Sequence, residues 1–184
     1  MKAYKILALT FSVFIFFFTS CGNANKKQPK EGQATTNAQE QKLKNEAKQA
    51  WDKMNKNDNA KFESMKSALK QLSYNPKADT KMVEKINKEI ENVLMLRYTI
   101  ENVNLSTLEN YDNLTTALID RIDSLAEATP DMGKYGSFHP IMQEIREADE
   151  KLMYDRLEYD KCAKKYNELI VKDKKQKLPV FADL

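Results

Sequence analysis

The sequence predicts an all-α fold, an elongated antiparallel four-helix bundle whose helices run up-down-up-down. Three observations predict it. Apolar residues recur at steps of three and four through most of positions 37–171. With 4 glycines and 5 prolines in 184 residues, the helix breakers stand between the periodic stretches and not inside them. Capping patterns open several of those stretches.

The chain starts with a segment that does not belong to the bundle. Lys2 and Lys5 form a positive n-region, and residues 6–18 (ILALTFSVFIFFF) form an uncharged apolar run. That is the anatomy of a secretory signal. At ~1.5 Å per residue the run is too short to cross a hydrocarbon core of roughly 30 Å comfortably, which favours cleavage over a permanent span. The site Phe18-Thr19-Ser20-Cys21-Gly22 resembles the lipobox of bacterial lipoproteins, with Phe18 where leucine usually stands. Residues 1–20 are therefore expected to be removed and Cys21 to be the lipid attachment point. At ~0.8 kcal/mol per buried methylene, two or three acyl chains hold a domain on a membrane almost permanently.

Residues 22–36 (GNANKKQPKEGQATT) are polar and small, so residues 21–36 are expected to form a flexible tether. The pattern Thr36-Asn37-Ala38-Gln39 then opens a first helix that carries Leu43, Ala47, Ala50, Trp51, Met54, Phe62, Met65, Leu69 and Leu72. Its stripe fails near Asp58, where a bend or fraying is expected. Ser73-Tyr74-Asn75-Pro76 ends it in a turn.

A second helix is expected from Asp79 or Thr80 to about Asn104, with Met82, Ile86, Ile90, Val93, Leu94, Ile100 and Val103 inward. Ser106-Thr107-Leu108-Glu109 reads as a capping box for a third helix through Tyr111, Leu114, Leu118, Ile122 and Leu125 to Ala128, although the two helices equally read as one bent helix. Residues 129–140 (TPDMGKYGSFHP) form a loop. The fourth helix starts near Ser137 or His139 and turns Ile141, Ile145, Ala148, Leu152, Tyr159, Ala163, Tyr166 and Ile170 inward, close to a heptad seam. The bundle domain is thus expected over residues 37–171. Residues 172–184 are expected to be a basic tail that continues as a solvated helix end, in preference to packing back on the bundle or touching lipid headgroups.

Composition excludes several function classes. The formal net charge is +3, of which Lys2 and Lys5 leave with the signal, so the mature chain has no electrostatic footprint for nucleic acid. There are 2 cysteines, and with Cys21 lipidated no intramolecular disulfide is possible. Cys162 and the single histidine, His139, lie 23 residues apart, roughly 35 Å along one helix at ~1.5 Å per residue, so no nucleophile dyad is expected. The carboxylates are interspersed with lysines on helix faces and lack calcium-loop or Glu-x-x-His spacing, so neither a metal nor a cofactor is expected. Tyr111, Tyr154, Tyr159 and Tyr166 read as core and rim more readily than as a binding surface.

In residues 130–170, Pro130-Asp131-Met132, Phe138, Asp149, Arg156, Tyr159-Asp160 and Tyr166-Asn167, with Ile141, Ile145, Leu152 and Ile170 between them, form a pattern that resembles the carboxy-terminal half of the LemA family. No gap is needed. A weaker match sets Trp51 and Phe62 on the family's early tryptophan and following aromatic. The chain departs from the family at Ala60-Lys61, where paired arginines are usual, at Asp160 in the first tyrosine-asparagine pair, and in its short ending Leu178-Pro179-Val180-Phe181.

The resemblance implies long antiparallel helices held at a bacterial membrane through the amino terminus, with no established activity, and singles out Trp51, Asp149, Arg156, Tyr159, Tyr166 and Asn167 as structural positions. Arg156, on the inward seam, is expected to cross to a carboxylate on another helix, with Asp58 as the candidate. The functional expectation is a non-catalytic, membrane-tethered structural or interaction module of the envelope, not an enzyme, facing the periplasm. No aspartate follows Cys21, which favours outer-membrane sorting. A periplasmic holdase-like chaperone whose long helices clamp clients is the alternative, and light scattering on a sizing column separates a compact monomer from an open oligomer.

Overall fold

The computed structural model describes residues 31–171 and 175–184, with only the backbone for 31–36. The signal segment, Cys21 and tether residues 21–30 lie outside the described residues, as do Lys172, Asp173 and Lys174 of the basic tail. The described chain is all-helical: α1 (Glu31–Ser73), α2 (Thr80–Met95), α3 (Leu105–Ala128) and α4 (Phe138–Leu169), with two short 3-10 turns at Met132–Lys134 and Phe181–Asp183. No helix among the described residues is long and apolar enough to cross a membrane.

The 43 residues of α1 make a rod of about 65 Å at ~1.5 Å per residue. It begins at Glu31, ahead of the expected Thr36 start, so the last six residues of the expected tether are helical. Gln33 and Ala34 propagate a helix readily once the packed turns downstream have met the cost of nucleation. α1 also runs through Asp58 without the expected break. Ala47, Trp51, Met54, Asp58, Lys61, Met65, Ala68 and Leu72 are all buried and follow one another at alternating steps of four and three. The polar residues at 58 and 61 therefore stay in phase; they find polar partners inside instead of disrupting the helix.

α2 starts at Thr80, one of the two expected positions, and Asp79 caps it, its side chain accepting from the Met82 N–H at 3.1 Å. Val83, Ile86, Ile90 and Val93 form the buried face, whereas Met82 is exposed. The helix stops at Met95, short of the expected Asn104, because the connection competes for the backbone. Thr99 N–H donates to the Asn102 side chain at 2.6 Å, and the Val103 N–H returns to the Thr99 carbonyl at 2.9 Å. α2 and α3 are thus separate helices. The capping box of α3 is formed by Asn104 and Thr107, two residues earlier than the expected box at Ser106, since the Asn104 side chain accepts from the Thr107 N–H while the Thr107 hydroxyl accepts from Asn104.

α1 and α4 pack against each other over most of their lengths, while α2 and α3 pair with one another and lie on α1. At one end of the molecule Asn75, fully buried, donates to the Pro130 carbonyl at 2.7 Å and so ties the α1–α2 turn to the α3–α4 loop. Lys77 and Asp131 add an ion pair at 2.7 Å. Asp131 itself takes a left-handed conformation at φ 64°, which aspartate tolerates better than most side chains. Asp131→Val is expected to lower stability by about 1–2 kcal/mol and Asp131→Gly to leave it within about 1 kcal/mol of the parent, because the strain belongs to a β-carbon at positive φ. Urea unfolding of the two variants checks this; equal losses would mean that the Lys77 contact, not the backbone, sets the cost.

Candidate functional site

The seam of α4 carries its polar residues into the end of the bundle opposite Asn75. Steps of three and four place Asp149, Leu152, Arg156, Tyr159, Ala163, Tyr166 and Ile170 on one stripe, flanked by Asp155, Asp160 and Asn167. Each polar member meets another element. Asp149 accepts from Lys61 of α1 at 2.8 Å, and Asp155 accepts from Asn57 at 2.6 Å with Lys53 at 3.4 Å.

Arg156 crosses the bundle as expected, but to a different partner. It donates through both terminal nitrogens to Asp112 of α3 at 2.7 and 2.6 Å, and to the Tyr98 hydroxyl at 2.9 Å. Asp58, the expected partner, is taken by others. Arg97 stands 2.8 Å from its Oδ2, Tyr111 donates to the same oxygen at 2.5 Å, and Lys61 lies 3.1 Å from Oδ1. The Arg97 and Lys61 approaches are ion contacts without hydrogen-bond alignment. The reason is the α2–α3 connection: ending α2 at Met95 brings Arg97 down onto Asp58 and Tyr98 up against Arg156. Lys61 is 1% exposed and Asp58 4%, so these charges survive burial only by neutralising one another.

Beside this cluster the C-terminal segment returns to the bundle, contrary to the expected solvated helix end. α4 stops at Leu169, and Asn167 holds the returning chain by a paired amide contact, donating to the Leu178 carbonyl and accepting from the Leu178 N–H, both at 2.8 Å. Asp160 then accepts from the Phe181 and Ala182 N–H groups at 2.7 and 2.9 Å. Val180 is buried. These contacts supply the backbone partners that an isolated extended strand lacks, which a continued helix exposed to water would not require.

Phe181 enters an aromatic box. Its ring stacks parallel to Trp51 at 5.9 Å between centroids and meets Tyr98 and Tyr159 edge-on at 5.8 and 5.6 Å. The Arg156 guanidinium lies 5.5 Å over its face. Each aromatic pair of this kind contributes about 0.5–1.5 kcal/mol beyond its buried area. Next to the tail, a cleft of about 590 Å³ opens between α1, residues 99–101 and Leu178-Pro179, with Trp51 and Tyr166 in its lining.

Burial sets the protonation of the rings. The Tyr159 hydroxyl is pushed far above its ordinary range by burial and then by Asp160, and it has no hydrogen-bond partner among the described residues. Burial raises Tyr111 as well, helped by Asp58, and raises Tyr98 against the opposing pull of Arg156. Cys162 packs against the core, and burial followed by the Glu158 charge raises its thiol, which disfavours the reactive thiolate. It shares the single helix α4 with His139, so the two cannot meet. Among the described residues no group of three His, Cys, Asp or Glu side chains converges to hold a metal.

Of the expected positions, Trp51, Arg156, Tyr159, Tyr166 and Asn167 gather about residues 178–181, Asp149 lies farther along α4 against Lys61, and Cys21 lies outside the described residues. Tyr154 is exposed and apart from the site. Lys61, Arg97, Tyr98, Asp112, Asp160 and Phe181 belong to the site without having been singled out as members. Extending α1's stripe by phase instead of by residue type would have found Lys61. Compared with protein-family models, curated proteins and solved structures, the chain matches none of them.

Proposed function

We propose that the chain is a lipid-anchored, non-catalytic interaction module of the bacterial envelope, a LemA-like bundle whose four helices run up-down-up-down and whose far end presents the clasped C-terminal segment. The observation that carries the reading is the clasp. Asp149, Arg156, Asp160 and Asn167 of the α4 pattern each bind another element of the same chain, the arrangement of a scaffold and not of a site that turns its charges on a substrate.

Cross-helix pairs support the helix order. From α1 to α4 the pairs Ser64–Glu144, Lys61–Asp149 and Asn57–Asp155 fall in number on one helix as they rise on the other. Asp123–Arg146 and Asp112–Arg156 do the same between α3 and α4. The membrane reading rests on the sequence of residues 1–21, and the partners are membrane lipid through Cys21 and an envelope protein.

Metabolic labelling with a palmitate analogue tests the anchor. The wild-type chain is expected to take up label and partition with membranes, and Cys21→Ala to do neither. An unlabelled wild type that still sediments with membranes would remove the lipoprotein reading.

A further inference from the structure

We propose that the groove under residues 178–183 is a peptide-docking site, filled in cis by those residues and built to accept an aromatic-bearing segment of a partner protein that is extended up to its aromatic anchor and turns at it. The inference rests on the reading of the chain as an interaction module and names the chemistry of its partner.

The groove recognises a peptide as a peptide. Asn167 satisfies both the N–H and the carbonyl of one residue, and Asp160 accepts from two consecutive N–H groups three residues further on. These four bonds go to main chain without demanding a sequence: Asn167 pairs with an extended residue at 178, and Asp160 caps the first two N–H groups of the 3-10 turn at Phe181–Asp183. Selectivity comes from one pocket, the box of Trp51, Tyr98, Tyr159 and Arg156, which takes a flat aromatic ring. Main-chain bonds for affinity and a side-chain pocket for selection is how proteins bind extended peptides. The ligand class is therefore an apolar segment with an aromatic anchor three positions after the residue clasped by Asn167, as Phe181 follows Leu178.

The cleft beside the segment favours a partner over a second copy. A tail exchanged between copies would make the same contacts as in cis while giving up an effective concentration in the millimolar range. A foreign segment that enters the same box displaces Leu178-Pro179, one wall of the 590 Å³ cleft, and by lying against Ile100 and Tyr166 as well gains surface that residues 178–183 leave uncovered. The cis segment then sets a threshold: partner affinity is reduced by the fraction of time that the groove is closed.

Trp51, the only tryptophan, stacks on Phe181 and reports the exchange. The mature chain, without residues 1–20, is titrated with a capped peptide of residues 177–184 (KLPVFADL), and Trp51 emission is followed. Phe181→Ser vacates the box and is expected to bind the peptide at least tenfold more tightly than wild type; the same peptide with alanine in place of its phenylalanine is expected not to bind. Adding Asn167→Ala to Phe181→Ser is expected to weaken binding at least tenfold. Equal binding by wild type and Phe181→Ser, or none by either, overturns the proposal.

Should Phe181→Ser fail to fold by circular dichroism, a peptide with benzophenylalanine at the anchor is photocrosslinked to wild type, where attachment to Trp51, Tyr98 or Tyr159 supports the groove and attachment elsewhere or none refutes it. A wild-type dimer that forms with concentration and disappears in Phe181→Ser would assign the groove to tail exchange and remove the partner. None of these outcomes depends on lipidation, so the anchor and the groove fail separately.

Discussion

Asp58→Ala is expected to destabilise the protein by about 3–5 kcal/mol, a large share of the 5–15 kcal/mol that holds a typical domain folded. Asp58 accepts from Tyr111 and is the shared counter-charge of Arg97 and Lys61 in a place that water hardly reaches. Its removal leaves Lys61 with Asp149 alone and Arg97 with no carboxylate in its salt bridge. The loss is thus mainly the cost of stranded cations, not the net worth of the ion pairs. The triple variant Asp58→Leu, Lys61→Met, Arg97→Met removes the charges together and is expected to recover most of the loss, because apolar groups of similar volume replace buried pairs at little cost. Urea unfolding at pH 7 reads both. A loss below about 1 kcal/mol in Asp58→Ala would mean that water enters the cluster, as it does around surface ion pairs.

Stability is expected to fall steeply above about pH 10, where the phenols of the unfolded chain ionise. Tyr98, Tyr111 and Tyr159 all have their hydroxyls pushed upward by burial, so in the folded state they stay protonated where the unfolded chain gives up its protons. Their contribution is fully present below the unfolded value of 10.0 and is lost as pH rises toward the folded values. Each such group adds a slope of up to about 1.4 kcal/mol per pH unit, so the three together reach about 4. Tyr159→Phe isolates one of them. It removes a hydroxyl that has no partner among the described residues, so at pH 7 it is expected to match the parent or exceed it by up to about 1 kcal/mol, and above pH 10 its stability should fall more gently. Unfolding free energies measured from pH 8 to 11 decide: parallel curves for parent and variant would mean that Tyr159 ionises freely in the fold.

The two predictions concern residues of different legibility. Tyr159 was readable: it falls on α4's apolar period, and its type suits a buried seam. Asp58 was visible as an interruption of α1's stripe, yet read as a place where the helix would bend. A polar residue in phase with a core looks the same in sequence whether it breaks the helix or meets a buried counter-charge, since the counter-charge comes from elsewhere in the chain. Arg156 shows the same limit from the other side. Its period placed it at the seam and its charge demanded a carboxylate, but the choice of Asp112 over Asp58 depends on where the α2–α3 connection folds.

The C-terminal segment departs further from what its sequence predicts. Six of its residues, KDKKQK, have the composition of a solvated helix end, and the four apolar residues after them carry too little period to declare a docking site. What docks them is a set of main-chain bonds from Asn167 and Asp160, which leaves no trace in the sequence of the segment itself.

The sequence alone determined the all-helical class, the faces of α1, α3 and α4 and the start of α2, because these follow from local propensity and from the 3.6-residue period along a single stretch of chain. Only the tertiary structure decided where α2 ends, which carboxylate each buried cation takes and that the chain's end closes over Trp51. Those outcomes pair residues far apart in sequence, and in a low-dielectric interior the pairing is set by which groups the packed helices bring within hydrogen-bond reach.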